Sequence, residues 1–259
     1  MKSELEIAQF PCLDDNYGFL LHDPATGLTA AVDTPDPAVI AAELERRGWQ
    51  LSHILNTHHH GDHAGGNLAL KERYGCTIVG PRADAARIPG IDVGVGEGDI
   101  VQFGDHRIEV LETPGHTRGH IVYYVPDAQA AFVGDTLFAM GCGRLFEGSP
   151  EQMTTSLAKL LRWPDATRLY CAHEYTLANG RFALTVEPDN QALVDRVRDV
   201  EAKRERGLPT VPTTLALERA TNPFLRTGSE GLKRTIGIRG DDIAVFARTR
   251  ELKDSFRAG

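Results

Sequence analysis

Histidines and an aspartate are concentrated in one short stretch, residues 57–63, which reads THHHGDH. The apolar segment 52–56 precedes it and a helical pattern follows, so we expect the stretch to lie on a strand-to-helix turn. Side chains two positions apart at a strand end point the same way, so His58 and His60 can converge while His59 points elsewhere. Imidazole nitrogen and carboxylate oxygen suit zinc and neighbouring divalent metals, and the stretch therefore predicts a metal site. An expression tag is the alternative for a histidine run, but a tag has no interleaved aspartate.

Three further predicted strands end in a possible ligand: His116, Asp135 and His173. Taken singly, an aspartate after a strand is usually a turn residue, but loops at the carboxyl edge of a sheet converge. The four strand ends together offer seven ligands: His58, His60, Asp62, His63, His116, Asp135 and His173. One tetrahedral ion needs fewer, so we predict two ions that share one carboxylate. The first ion is assigned His58, His60 and His116, the second Asp62, His63 and His173, with Asp135 bridging both.

The composition describes a globular chain of 259 residues with a formal net charge of −8. This charge argues against nucleic acid as a partner, because phosphate binding needs a basic face. We expect no signal segment and no membrane partner, since no apolar run approaches a membrane-spanning length. The four cysteines have no C-x-x-C spacing and are predicted to be buried free thiols in a reducing compartment, hence a cytoplasmic location. We expect a monomer, with a dimer as the alternative.

Alternating and apolar runs before residue 174 predict strands, and three helical patterns interrupt them: 36–47, the pattern through Leu68, Leu70 and Tyr74, and 149–161. The region 90–99 is rich in glycine and aspartate and is predicted to be a loop, and 168–171 is the last predicted strand. From residue 175 onward the periodicity is helical and charge-rich. We therefore predict two domains, a catalytic domain over 1–174 and a helical substrate-binding domain over 175–259. The predicted strands and helices of the first domain are 5–10, 17–21, 28–33, 36–47 (helix), 52–56, 76–79, 107–112, 121–125, 130–133, 149–161 (helix) and 168–171.

Several motifs resemble those of a known superfamily. THHHGDH, PGHTRGH at 114–120, GDT at 134–136 and AHEY at 172–175 resemble the metallo-β-lactamase superfamily over the first 175 residues. Within it the chain resembles the hydroxyacylglutathione hydrolases (glyoxalase II), through GCGRLFEG at 141–148, HEYT at 173–176, NPFLR at 222–226 and RELK at 250–253. The resemblance implies an α/β (α+β) fold, with an αββα sandwich followed by a smaller all-helical domain, and it implies the metal assignment above.

The activity that the resemblance implies is hydrolysis of glutathione thioesters. The substrate would be S-D-lactoylglutathione, cleaved to D-lactate and glutathione in the second step of methylglyoxal detoxification. Metal lowers the pKa of bound water to about 7, so we expect a metal-bridging hydroxide to attack the carbonyl carbon. Asp62 is expected to orient that hydroxide, which makes Asp62 and Asp135 the catalytic carboxylates. Two divalent ions are expected as cofactors, zinc first, with iron or manganese as alternatives.

Glutathione carries two carboxylates, so an acidic protein needs cations at its pocket. Arg144, Phe146, Tyr175, Arg250 and Lys253 match positions where the family binds glutathione. The alternative for the last two is a solvated helix end that complements the helix dipole. The better-known eukaryotic enzymes have lysine and tyrosine in place of Arg144 and Phe146. Arginine preserves the charge, whereas phenylalanine loses a hydroxyl and puts one glutathione hydrogen bond in doubt.

Two further expectations concern residues beside the ligands. Ligand histidines need their second ring nitrogen held, and Asp33, at the end of a predicted strand, is the candidate. The alternative is a turn residue before Thr34 and Pro35. Cys142 and Cys171 lie near ligand loops, and we expect them to pack in the core rather than act as nucleophiles.

Other functions remain open at this point. A persulfide dioxygenase with one iron is the alternative from another enzyme class, and oxygen consumption would distinguish it. A β-lactamase, an RNA-processing enzyme and a non-enzymatic binding module are weaker. The thiols, which indicate a reducing compartment, argue against a secreted β-lactamase. The acidic net charge argues against RNA processing, and the presence of all seven ligands argues against a non-enzymatic binding module.

Overall fold

The computed structural model describes residues 4–257 of the chain. Their contacts divide the chain into two compact units. Unit 1 comprises the residues up to Glu112 together with Arg118–Gly134, and unit 2 comprises Thr113–Thr117 and the chain from Asp135 onward. This division follows contacts in space, and the sequence boundary at residue 174 stays a prediction.

The first sheet of unit 1 has six strands, paired in the order of the sequence. The first three pair antiparallel and the last three join them in parallel. Their bounds are β1 Glu6–Cys12, β2 Asn16–Asp23, β3 Leu28–Val32, β4 His53–Leu55, β5 Thr77–Pro81 and β6 Val93–Val95.

Helices cover the outer face of this sheet. Asp36 caps the first helix through its side chain, a proline follows, and Gly48 ends it in the left-handed conformation. Ile40 and Leu44 of that helix are buried in one cluster with strand residues. The helices of unit 1 are α1 Pro37–Arg47, α2 Gly61–Ala64 and α3 Asn67–Tyr74, with short 3₁₀ turns at Arg82–Arg87 and Pro126–Ala128.

Four more strands of unit 1 pair antiparallel, each with the next along the chain. They pack against the first sheet, since the rings of Phe19 and Phe132 lie 5.6 Å apart and the Tyr123 hydroxyl donates to the Asn56 carbonyl at 2.9 Å. Unit 1 is therefore a two-sheet sandwich. These strands are β7 Ile100–Phe103, β8 His106–Glu112, β9 Ile121–Val125 and β10 Ala130–Gly134.

Unit 2 is mainly helical. A capping box of Ser149 and Gln152 opens its first helix, as the sequence predicts. Stacked and edge-on aromatic pairs of Phe182 with Phe224 and of Phe224 with Phe246 form part of its core. Its elements are β11 Leu137–Phe138, β12 Gly141–Cys142, α4 Pro150–Leu160, β13 Arg168–Cys171, α5 Thr176–Val186, α6 Gln191–Glu205, β14 Thr213–Thr214, α7 Leu215–Thr221, a 3₁₀ turn Pro223–Leu225, α8 Glu230–Ile236 and α9 Asp242–Ser255.

Two expectations about strands are wrong in detail. The predicted loop 90–99 contains β6, and β14 pairs with β13 beyond the last predicted strand. Both strands are only two or three residues long. A run this short cannot show a period-two alternation, so the sequence carries no signal for it. Across residues 4–257, no helix combines the length and apolar character needed to span a bilayer.

Candidate active site

Four of the predicted ligands follow β4 in unit 1, and the turn brings them together. His58 Nε2 lies 3.0 Å from His60 Nδ1, and His63 Nε2 lies 3.4 Å from Asp62 Oδ2. The ligand atoms of His58 and His63 lie within 4.8 Å of one another. His58 and His63 are buried, whereas His60 and Asp62 are partly exposed. We call His58, His60, Asp62 and His63 the first ligand set.

Asp33 contacts this set at the end of β3. Its carboxylate accepts hydrogen bonds from the Thr57 backbone N–H at 2.7 Å and from the Thr57 hydroxyl at 2.8 Å. The same carboxylate lies 2.8 Å from His63 Nδ1. Asp33 has a φ of 58°, a left-handed conformation that is uncommon for residues other than glycine. This backbone conformation places one carboxylate against both Thr57 and His63, which is the contact expected of a residue that holds the second ring nitrogen of His63.

Asn16 also contacts the first ligand set, and sequence reasoning missed it. Its side-chain amide donates to Asp62 Oδ2 at 3.2 Å and to the Asp62 carbonyl at 3.3 Å. The asparagine therefore fixes the rotamer of this partly exposed carboxylate. A separation of 46 residues along the chain leaves no local signal for the contact.

His59 points away from the ligands, as its position between His58 and His60 predicts. Its Nδ1 lies 3.4 Å from Asp84 Oδ2, and its Nε2 lies 3.1 Å from Arg87 Nη1. These contacts with Asp84 and Arg87 hold the middle of the histidine run.

The other three predicted ligands come together in unit 2. Asp135 Oδ2 lies 3.3 Å from His116 Nε2, and Asp135 Oδ1 lies 3.4 Å from His173 Nε2. All three side chains are buried. Each carboxylate oxygen thus faces a different histidine, which suits a carboxylate shared by two ions. We call His116, Asp135 and His173 the second ligand set.

The loop after β12 wraps around His116. His116 Nδ1 lies 2.9 Å from the Arg144 carbonyl oxygen, and the Phe146 N–H donates to the His116 carbonyl at 3.2 Å. A Cβ at Gly143 would lie 2.0 Å from the Asp135 carbonyl oxygen and 3.1 Å from His116 Nδ1. Only glycine allows this close approach of the loop to the second ligand set.

All five predicted substrate-binding residues line one cavity of unit 2. The cavity has a volume of about 380 Å³, and His116 and Asp135 of the second ligand set line it as well. The remaining lining residues include Phe138, Cys142, Ala178, Asn179 and Phe256. The predicted substrate residues in its wall are Arg144, Phe146, Tyr175, Arg250 and Lys253.

The cations of this cavity differ in their surroundings. Arg144 is exposed, whereas Arg250 is only 5 % exposed and donates to the Cys142 carbonyl at 2.9 Å and to Asp254 Oδ1. Lys253 is half-buried, and its ammonium donates to the Ala178 carbonyl at 3.3 Å. Burial, with the positive charges of Arg250 and Arg144 adding to it, lowers the pKa of Lys253 to about 8.

Two aromatic residues of the cavity, Phe146 and Tyr175, pack on histidines that are predicted ligands. Tyr175 stacks on His173 with ring centroids 4.7 Å apart, and Phe146 meets the His116 ring edge-on at 5.2 Å. Phe146 nevertheless keeps 63 % of its surface exposed. An exposed aromatic at the cavity is therefore placed to contact a bound molecule.

The four thiols, Cys12, Cys76, Cys142 and Cys171, are free and buried. Burial raises the pKa of Cys142 to about 11 and that of Cys171 to about 12. A thiolate is the nucleophilic form, so neither group is reactive at neutral pH. The expectation of packing roles fits these surroundings.

We expect iodoacetamide to leave Cys142 and Cys171 unmodified in the native protein at pH 8, because almost no thiolate is present. The measurement is mass spectrometry of peptides after labelling, with urea-unfolded protein as the positive control. Stoichiometric labelling of Cys142 in native protein, with matching loss of activity, would contradict the packing role.

The donor atoms of both sets fit divalent metal ions. Asp33 at Nδ1 of His63, and the Arg144 carbonyl at Nδ1 of His116, leave Nε2 as the ligand nitrogen in each ring. The available donors are imidazole nitrogens and carboxylate oxygens, which zinc, iron and manganese accept.

Comparisons with known proteins agree with this chemistry. Residues 18–173 match the family model of the metallo-beta-lactamase superfamily, and residues 174–256 match the model described as hydroxyacylglutathione hydrolase C-terminus. A hydroxyacylglutathione hydrolase of Maricaulis maris is 55 % identical over 98 % of this chain and 100 % of its own length. The chain belongs to the hydroxyacylglutathione hydrolase family. Its fold and family, as predicted from the motifs, are thereby confirmed.

A second family member supports the family assignment, and a solved structure supports the fold. The hydroxyacylglutathione hydrolase of Rhizobium meliloti is 53 % identical over 97 % of this chain and 99 % of its own length. The crystal structure of ETHE1 from Myxococcus xanthus aligns with a TM-score of 0.66 at 25 % identity and covers 95 % of this chain and 96 % of that one. As a hydroxyacylglutathione hydrolase family member, the chain has a metallo-β-lactamase region followed by a carboxy-terminal helical region.

Proposed function

We propose that this chain hydrolyses glutathione thioesters, with S-D-lactoylglutathione as the substrate and D-lactate and glutathione as products. The observation that carries the proposal is the cavity of unit 2. Two buried ligand-type residues, His116 and Asp135, share its wall with three cations, Arg144, Arg250 and Lys253. A glutathione thioester needs both features, a group that activates the acyl carbon and cations for its carboxylates.

The proposed metal content is two divalent ions per chain, held by the first and second ligand sets together. His58, His60 and His116 would bind one ion, Asp62, His63 and His173 the other, and Asp135 would bridge them. In support, the two oxygens of Asp135 already face two different histidines. Zinc is the ion we propose first, with iron and manganese as alternatives that the same donors accept.

Bound divalent metal supplies a nucleophile at neutral pH, because it lowers the pKa of water to about 7, and it polarises the thioester carbonyl. Asp62, whose carboxylate accepts a hydrogen bond from Asn16, is proposed to orient the attacking water and accept its proton. Asp33 holds the imidazole of His63, and the Arg144 carbonyl holds that of His116. These contacts keep the ligand rings oriented, which is the contribution that the protein makes to such a site.

Arg144, Arg250 and Lys253 are proposed to neutralise the carboxylates of glutathione. A protein of net charge −8 repels an anionic substrate at long range, so these cations matter for affinity. Tyr175 and Phe146 would contact the peptide part of glutathione with their exposed ring faces.

The proposed division of labour is a catalytic domain over 1–174 and a substrate-binding domain over 175–259. The four free thiols support a reducing, cytoplasmic location.

The Michaelis constant for the glutathione thioester should rise about fivefold to tenfold between pH 7 and pH 9. The pKa of Lys253 is lowered to about 8, so its charge is present below that pH and is lost above it. A charge-assisted hydrogen bond is worth about 1.5 kcal/mol or more, and about 1.4 kcal/mol corresponds to tenfold in affinity. Steady-state kinetics across this pH range measures the effect.

The matched control for this pH prediction is Lys253→Arg, since a guanidinium stays charged throughout the range. Its Michaelis constant should be almost flat between pH 7 and pH 9. An identical rise in wild type and Lys253→Arg would show that a different group titrates.

The test of the proposed function is thiol release from S-D-lactoylglutathione, followed with a thiol reagent. The persulfide dioxygenase alternative predicts oxygen consumption with glutathione persulfide instead, and the carboxy-terminal family match already favours the hydrolase. Hydrolysis with no oxygen uptake is expected. Oxygen uptake without thioester cleavage would overturn the proposal.

A further inference from the structure

One fully buried carboxylate of unit 2 lies outside the ligand sets and the cavity wall. Glu218 of α7 has 0 % exposure and accepts four hydrogen bonds. One oxygen accepts from Arg196 at 2.6 Å and Thr213 at 2.7 Å, and the other accepts from the Met140 backbone N–H and the Asn222 side-chain amide, both at 2.9 Å. These four donors compensate the negative charge of Glu218, which would destabilise the fold if it were buried without partners.

Two of these donors connect Glu218 to the β11–β12 hairpin: Met140 belongs to the turn of the hairpin, and Asn222 donates to its backbone. Besides its bond to Glu218, the Asn222 amide donates to the Phe138 carbonyl at 3.1 Å and to the Gly141 carbonyl at 2.9 Å. Asn179 of α5 donates to the Ala139 carbonyl at 3.2 Å. The hairpin is thus held through its backbone by side chains of the helical region.

Met140, in the turn of the hairpin, has a strained backbone and a buried side chain. Met140 has a φ of 56°, a left-handed conformation that a methionine adopts only when its surroundings impose it. Its fully buried side chain lies in a cluster with Ala183 and Val197 of α5 and α6. A Cβ at Gly180 would lie 2.8 Å from the Met140 methyl carbon, so the glycine leaves space for the Met140 side chain.

The hairpin separates two residues of the proposed site. It begins two positions after Asp135 and ends two positions before Arg144, and both residues line the same cavity. The backbone between them therefore sets the distance from Asp135, the proposed bridging carboxylate, to Arg144, a proposed substrate cation. A shift of the hairpin would move one relative to the other.

We propose that Glu218 and Asn222 are positioning residues that hold the β11–β12 hairpin. They thereby keep Asp135 and Arg144 at the separation that binding of a glutathione thioester requires. This role rests on the proposed function, which supplies the substrate. Neither residue lines the cavity, and both act through backbone atoms of the hairpin.

The test compares Glu218→Gln with Glu187→Gln in the full chain. Glu187 serves as the control because it is also a buried glutamate of unit 2, paired with Arg226 at 2.8 Å and with Ser229 at 2.7 Å. Within the described part of the chain, its side chain makes no hydrogen bond to the hairpin. Both variants should lower the melting temperature. Only Glu218→Gln should weaken glutathione binding in calorimetry and raise the Michaelis constant for its thioester, each by at least about tenfold.

A second variant covers the case in which Glu218→Gln fails to fold. Asn222→Ser removes the donor to both hairpin carbonyls and leaves the pair of Glu218 with Arg196, and it should give the same rise in the Michaelis constant. The rate with a small thioester that lacks glutathione should fall much less in either variant, because Arg144 does not bind it.

Equal effects of the Glu218 and Glu187 variants on glutathione binding, with an active wild type, would overturn the positioning role alone. A wild type that neither binds glutathione nor cleaves its thioester would overturn the proposed function, and the positioning role with it.

Discussion

Asp135→Asn should reduce the turnover of the glutathione thioester by at least about a thousandfold and lower the metal content from the proposed two ions per chain to one or fewer. The two carboxylate oxygens face His116 and His173 at 3.3 and 3.4 Å, so the amide removes one anionic oxygen from the middle of the second ligand set. Metal stabilisation of a transition state is worth several kcal/mol, and about 1.4 kcal/mol is tenfold in rate. Elemental analysis and steady-state kinetics on one sample measure both effects.

Asp165→Asn is the control for Asp135→Asn, because it makes the same chemical change in an exposed ion pair with Arg219. It should retain wild-type metal content and turnover, since surface ion pairs contribute little. Retention of two ions and normal turnover by Asp135→Asn would rule out a bridging role for this carboxylate.

Gly143→Ala should lower kcat/KM by about a hundredfold or more, although it adds only one methyl group. The new Cβ would lie 2.0 Å from the Asp135 carbonyl oxygen, a backbone atom that cannot rotate away. The loop must therefore move relative to Asp135 and His116, and a misplacement of about 1 Å in an active site costs about a hundredfold. Overpacking of this kind also destabilises by about 1–3 kcal/mol, which thermal unfolding will report.

Gly228→Ala is the matched control, since a Cβ there meets nothing within 4 Å. Its kinetics and melting temperature should match those of the wild type. Normal activity in Gly143→Ala would mean that the close approach of this loop to the second ligand set has no part in catalysis.

The clustering of the predicted ligands could be anticipated from the sequence because each of them follows a recognisable strand. THHHGDH brings its four side chains together locally, and the apolar strands β10 and β13 place Asp135 and His173 at their ends. The family then follows from the motifs, as the matches over residues 18–173 and 174–256 confirm. The short strands β6 and β14 lack a pattern long enough to predict.

The contacts of Asn16 and Glu218, unlike that of Asp33 with His63, could not be predicted, since they join residues distant in sequence and neither residue belongs to a recognised motif. Asn16 meets Asp62 across 46 residues, and Glu218 meets Met140 across 78. Arg250 is the most instructive case. The family resemblance implies a cation that binds glutathione, whereas the structure buries Arg250 against the Cys142 carbonyl, so its direct contact with glutathione stays a prediction.

The most direct test of the dinuclear thioesterase account is a metal titration of the chelator-stripped wild-type protein. Zinc is added back stepwise, and S-D-lactoylglutathione hydrolysis is measured at each step. The account predicts that activity reaches its plateau at two equivalents per chain, with thiol release matching D-lactate formation. A plateau at one equivalent, or a protein holding two ions that leaves the thioester intact, would contradict it.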